Sequence, residues 1–171
     1  IARLLSNQIL AVTVEEQKRL LAQSEVRLLQ AQINPHFLFN ALNTLAAVIR
    51  RDADEARQMV HSLSTFFRKS LKRSGNETTL KDELEYVDAY LHIEQLRFSD
   101  RLDVDIQVPE ALLPARLLAF TLQPIVENAI KHGIAQMLEP GRLKISAEGE
   151  GEVLKLVIED SAGQYHPASG G

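Results

Sequence analysis

Cysteine is absent from the sequence, which excludes disulfides and thiolate metal sites and fits a reducing compartment. Proline and glycine are nearly missing from the first hundred residues, where Pro35 and Gly75 stand alone, so that stretch reads as helix interrupted at few places. No apolar run approaches the roughly 20 residues that a bilayer span needs. No signal-peptide pattern opens the chain, which starts at Ile1 in what reads as mid-helix, and the expectation is a soluble piece of a longer protein. A formal net charge of −4 leaves no basic footprint for nucleic acid, the local clusters at Arg50–Arg51 and Arg68–Arg73 notwithstanding.

What is present has an ordinary globular balance of 45% hydrophobic and 25% charged residues, enough for one domain or two small ones. Strand alternation, proline and glycine all appear together after about residue 100, which places a boundary there. Before it, Leu5, Val12, Arg19, Val26 and Ile33 recur every seven residues, with Ala22 and Leu29 in intervening slots. Arg19, Gln8 and Glu15 make this heptad imperfect, so residues 1–33 read either as a parallel dimer stalk or as one amphipathic helix on its own domain.

Asn34-Pro35 forces a kink or a restart, with Asn34 as N-cap and Pro35 at the first helical position. Beyond it the apolar set Phe37, Leu38, Ala41, Leu42, Leu45, Val48 and Ile49 has helical spacing. His36 and Asn40 lie four apart on one side of that helix. Asp52 and Asp54 offer caps for the next helix, and Ser74-Gly75-Asn76 reads as a turn. Thr79-Leu80-Lys81-Asp82 is a capping-box variant that opens a third. Short connections between helices predict a helical bundle.

In the second half, Leu102, Val104, Ile106 and Val108 alternate with polar residues as a half-buried strand ended by Pro109. Residues 116–132 read as helix kinked at Pro124, and residues 142–147 and 153–159 as a hairpin around an acidic glycine-containing turn. Within PIVENAIKHG, residues 124–133, a helix puts Glu127, Asn128, Lys131 and His132 on one polar stripe. Asn128 offers a neutral oxygen to Mg²⁺, and Lys131 or His132 a cation to phosphate. In Val157-Ile158-Glu159-Asp160-Ser161-Ala162-Gly163 a strand delivers an acid into a small-residue turn, where Asp160 suits an exocyclic base amine and Gly163 lets the backbone approach a planar ligand. His61, His92 and His166 are far apart and lack metal-ligand spacing.

NPHFLFN at residues 34–40, Tyr90-Leu91-His92-Ile93-Glu94 with Arg97-Phe98, and QPIVENAIKHG at residues 123–133, in that order, resemble the LytS/YehU-type sensor histidine kinases of bacteria. The resemblance implies an α+β chain: a helical-hairpin dimerisation bundle followed by a partial GHKL-type α/β sandwich. Its domains would be a signalling helix at 1–33, a dimerisation and histidine-phosphotransfer region at 34–99 and a partial ATP-binding region at 100–171. By that comparison His36 is the phosphoacceptor, Asn128 the Mg²⁺ ligand, and Asp160 with Gly163 the adenine-side box. ATP and Mg²⁺ would be used, and a phosphoryl group passed to an aspartate on a response regulator of the LytTR type. The chain would act as a homodimer and form the cytoplasmic portion of a bacterial inner-membrane protein.

An unprotonated imidazole is a competent nucleophile toward the terminal phosphorus of ATP, and Asn40 is placed to orient the ring. Phe37, Leu38 and Phe39 are expected to lock the helix and leave His36 exposed. Better-known histidine kinases have an acid directly after the histidine, whereas Phe37 stands here. A base would come from Glu127 first or Glu94 second; either is alternatively structural, through Lys131 or Arg97 respectively. Tyr165-His166-Pro167 would sit in a lid. A second glycine-rich box would follow in the family, so the 171 residues alone are expected to bind ATP poorly. Two other classes stay open: a GHKL ATPase switch without phosphohistidine, and a dimeric relay module with a degenerate nucleotide site.

Overall fold

The computed structural model describes residues 35–72, 76–151 and 153–163. The heptad reading of residues 1–33, the cap at Asn34, the Ser74-Gly75 turn and the lid around His166 lie outside the described residues. By compactness residues 40–171 form one unit and residues 1–39 another.

Helix α1, Pro35–Arg51, begins with its proline in the first turn, where the missing N–H costs nothing. Arg50 and Arg51 close it, favourably placed against the helix dipole. A single residue, Asp52, separates it from helix α2, Ala53–Lys72. The Asp52 carboxylate accepts from the backbone N–H groups of Glu55 (3.0 Å) and Asp54 (2.9 Å), and these bonds hold its pKa below the usual carboxylate range. On α2, Ala56, Met59, Leu63 and Phe66 form one buried stripe at helical spacing.

Strand β1, Glu77–Thr79, leads into helix α3, Leu80–Phe98. Where the capping-box variant was expected, Thr79 is the N-cap: its Oγ1 accepts from the Asp82 backbone N–H (3.2 Å), and the Asp82 carboxylate in turn accepts from the Thr79 hydroxyl (2.7 Å). Helices α2 and α3 run antiparallel. Ser62 Oγ and His92 Nδ1 are 2.9 Å apart, the Phe66 ring stacks at 5.0 Å from Tyr86, and Lys69 Nζ reaches Asp82 (2.6 Å) and Glu85 (2.5 Å). Burial opposes the charge on Lys69, but its two carboxylate partners raise its pKa, and Lys69 with Thr79 lowers that of Asp82.

The second half contains two sheets. In the smaller, β1 pairs antiparallel with β3, Arg116–Leu118. In the larger, the order is β2 (Leu102–Gln107), β4 (Gly141–Glu150), β5 (Val153–Asp160); β2 and β4 are parallel, and β4 and β5 form the expected hairpin. Leu143, Ile145 and Ala147 of β4 are buried at the strand period of two. Ile134 covers the near end of that face, since a Cβ on Gly141 would fall 2.4 Å from it; Leu112 covers the far end, 2.8 Å from a Cβ on Gly149. The fold class is therefore mixed helix and sheet, as expected.

One expected helix starts later than the sequence suggested. Residues 116–118 form β3, held by β1, and the helix α4 is Gln123–Asn128, so Pro124 opens a helix instead of kinking one. Strand pairing outweighs the helical spacing there, because β1 gives the backbone partners that a short helix would have to supply itself. After α4 the hydrogen bonding widens over Ala129–Gly133, where the Ile134 N–H reaches Ala129 O, and then tightens over Ile134–Gln136. Widened turns of this kind are frequent at functional sites.

Candidate functional site

His36 lies exposed in the first turn of α1, and Asn40 follows one turn along, half-buried. Phe37 is buried, but Phe39 is 67% exposed, so the aromatic pair does not lock the helix as a unit. Residues two apart point to different sides of a helix, and only Phe37 shares a stripe with buried Ala41 and Val48.

The polar stripe of the second motif is placed by α4 and the widened turn behind it. Val126, Ala129, Ile130 and Gly133 are buried, while Asn128, Lys131 and His132 are exposed. The turn after β5 meets this element. A Cβ on Gly133 would lie 3.0 Å from the Ala162 Cβ and 3.6 Å from Asp160 Oδ1, so the absence of a side chain at 133 permits the close approach. Two motifs separated by a full hairpin are thus neighbours. Asp160 Oδ1 accepts from the Ala162 N–H (2.9 Å), and Ser161 is pinned to β4 through both its N–H to Arg142 O (3.0 Å) and its Oγ, which accepts from Arg142 N–H (2.9 Å). Gly163 has φ +64°, a conformation that glycine adopts without strain.

Glu127 has partners that sequence reasoning did not find. Its Oε1 accepts from the Tyr86 hydroxyl (3.0 Å) and from Gln123 Nε2 (2.7 Å). One turn before Tyr86, the fully buried Glu83 accepts from the backbone N–H groups of Phe120 (3.1 Å) and Leu122 (3.0 Å). Phe120 has φ +66°, costly for a residue with a side chain, and the Glu83 carboxylate holds that conformation at the entry to α4. Burial, with the nearby Glu94 and Glu127 charges adding to it, pushes the Tyr90 hydroxyl far above its ordinary range, so it stays protonated. The available clue was two acids, Glu83 and Glu94, on the otherwise apolar face of α3. Glu94 is buried and its Oε2 takes the Arg97 guanidinium, with Nε at 2.6 Å, which gives it the structural role foreseen as its alternative.

Mg²⁺ fits this donor set only as a partner of phosphate. Among the described residues no cluster of three His, Cys, Asp or Glu side chains gathers, and Asn128 presents a single exposed amide. Mg²⁺ favours few protein ligands, several waters and substrate phosphate oxygens.

Comparison with known proteins gives the family. Residues 24–102 match the model of the family described as histidine kinase. The sensor histidine kinase BtsS of Escherichia coli (strain K12) is 61% identical over 169 residues, 99% of this chain and 30% of that protein. The sensor protein LytS of Streptococcus agalactiae is 40% identical over 164 residues, 94% of this chain and 28% of that protein. LytS of Staphylococcus haemolyticus is 38% identical over 162 residues, 94% of this chain and 28% of that protein. The chain spans about 30% of the length of the curated relatives it matches. Identity over nearly the whole chain, together with the placement of its motifs, means that it belongs to the sensor histidine kinases of the LytS type.

Proposed function

We propose that the chain contains the phosphoacceptor and nucleotide-facing elements of a kinase that phosphorylates itself on His36 from ATP and passes the group to an aspartate on a response regulator of the LytTR type. The observation that supports this reading is the meeting of Gly133 with Asp160 and Ala162, which brings the end of one motif against the other. On it, Asn128 would hold Mg²⁺, Lys131 and His132 would offset phosphate charge, and Asp160 with Gly163 would receive the base. Bound Mg²⁺ supplies charge neutralisation at the phosphate oxygens. Exposure of His36 supports its use as the nucleophile. A ring nitrogen forms a bond to the terminal phosphorus, the bond from that phosphorus to the bridging oxygen breaks, and ADP leaves. Asn40 orients the imidazole, and Glu127 is the candidate base.

By the same reading residues 34–99 serve dimerisation and phosphotransfer, and residues 100–171 are part of a GHKL-type ATP-binding domain. The working protein is a homodimer, and these residues form a cytoplasmic part of an inner-membrane sensor. Among the described residues no helix is long and apolar enough to cross a membrane.

Incubation of the full-length protein with labelled Mg·ATP tests the proposal. Acid-labile, base-stable label that disappears in His36→Gln is expected. Nucleotide turnover that survives that change without protein-bound label would favour an ATPase switch; neither binding nor turnover would favour a relay module.

A further inference from the structure

We infer that Tyr86 and Gln123 are positioning residues for Glu127, holding one carboxylate oxygen so that the other, Oε2, is the one that serves the phosphoryl-transfer reaction; this rests on the nucleotide-facing reading of α4. Both donors converge on Oε1, at 3.0 Å from the Tyr86 hydroxyl and 2.7 Å from Gln123 Nε2. Among the described residues Oε2 receives no hydrogen bond or ion pair. The two donors come from different elements, α3 and the first residue of α4, so together they fix the carboxylate rotamer instead of merely filling its hydrogen-bonding capacity. Tyr86 is almost fully buried, with its ring packed on Phe66 at 5.0 Å, which removes the freedom of its hydroxyl to follow a moving partner. The clasp extends one turn back along α3, where Glu83 fixes the backbone that enters α4.

A carboxylate held by two neutral donors is aimed without being neutralised. Neutral donors also lower the basicity of a carboxylate, whose two oxygens share one charge, but by less than the ion pair that an arginine or lysine in their place would form. Two neutral partners on a single atom leave the second oxygen directed and chemically available, which a group that must accept a proton requires. A structural anchor, by contrast, would be served equally well by donors spread over both oxygens.

The test is a kinetic cycle in the full-length kinase, following His36 phosphorylation. Tyr86→Phe removes only the hydroxyl. It should lower the rate at saturating Mg·ATP about fivefold to tenfold, the effect of one lost hydrogen bond, and leave the KM for ATP within about twofold. Gln123→Met should act in the same direction, which keeps the inference open to test if one variant folds poorly. In a Glu127→Gln background the Tyr86→Phe change should have no further effect on the rate. Equal rates for Tyr86→Phe, Gln123→Met and wild type, with Glu127→Gln impaired, would overturn the positioning role and leave the nucleotide-facing reading of α4 intact. An undiminished Tyr86→Phe effect in the Glu127→Gln background would overturn it too, by showing that the hydroxyl acts elsewhere. A wild-type rate for Glu127→Gln would remove the role of Glu127, and this inference with it.

Discussion

Helices α1 and α3 are close in length and opposite in character. On α3 ten residues are buried, including the carboxylates of Glu83 and Glu94, and each of those acids has a fixed partner. On α1 only Phe37, Ala41 and Val48 are buried, while Phe39, Leu42 and Ile49 stay exposed beside the exposed His36. One helix therefore acts as an internal frame and the other as a presenting surface. Sequence periodicity alone makes both look amphipathic; the difference lies in what surrounds them.

The comparison predicts a steep contrast in sensitivity to substitution. The largest effect is expected at Glu83. Glu83→Ala leaves the Phe120 and Leu122 N–H groups without their acceptor and should cost about 2–4 kcal/mol, measured by urea unfolding. Next comes Gly141→Ala, whose added Cβ would meet Ile134 at 2.4 Å and force the helical layer off β4. About 1–3 kcal/mol is expected, read as a lower thermal midpoint. Ser62→Ala, which removes the link to His92 between α2 and α3, should cost about 1 kcal/mol in the same assay.

Acid titration should sharpen the picture further. The Asp82 pKa is depressed in the folded state by Lys69 and Thr79, so its contribution is present above the ordinary value of 3.8 and fades as pH falls through the lower folded value. Asp82→Asn should therefore narrow the gap in stability between neutral pH and acid, as followed by circular dichroism. The smallest effect is expected on the presenting helix. Ile49→Asp should change unfolding stability by no more than about 0.5 kcal/mol, measured by urea unfolding. A large loss of stability there would erase the distinction between the helices.

Local chemistry made much of this legible in advance. Pro35 at the start of α1, Asp52 at the start of α2, the Thr79 cap of α3 and the β4–β5 hairpin each depend on residues within a few positions, and each is found where expected. What was missed depends on distant partners. Strand β3 exists because β1 lies nearly forty residues earlier, as in the register Thr79↔Arg116. The parallel pairing of β2 with β4 is likewise non-local. The place of Glu83 on the apolar face of α3 marks it in the sequence, but its partners are backbone N–H groups, which no side-chain pattern reveals.

For the candidate site, Gly133 meets Asp160 and Ala162, and Asn128, Lys131 and His132 are exposed. The clasp on Glu127 was hidden for the same reason as β3: Tyr86 is 41 residues away in sequence. Pairing with Lys131, four residues on, was the structural alternative for Glu127; the partners found are Gln123, four residues before it, and the distant Tyr86.

The central claim is that the exposed imidazole of the first turn of α1 accepts the phosphoryl group. Peptide mapping by mass spectrometry under alkaline conditions, after brief incubation of the full-length protein with Mg·ATP, tests it most directly. Phosphate on His36, within the segment NPHFLFN, is the predicted result; phosphate confined to any other residue would contradict it.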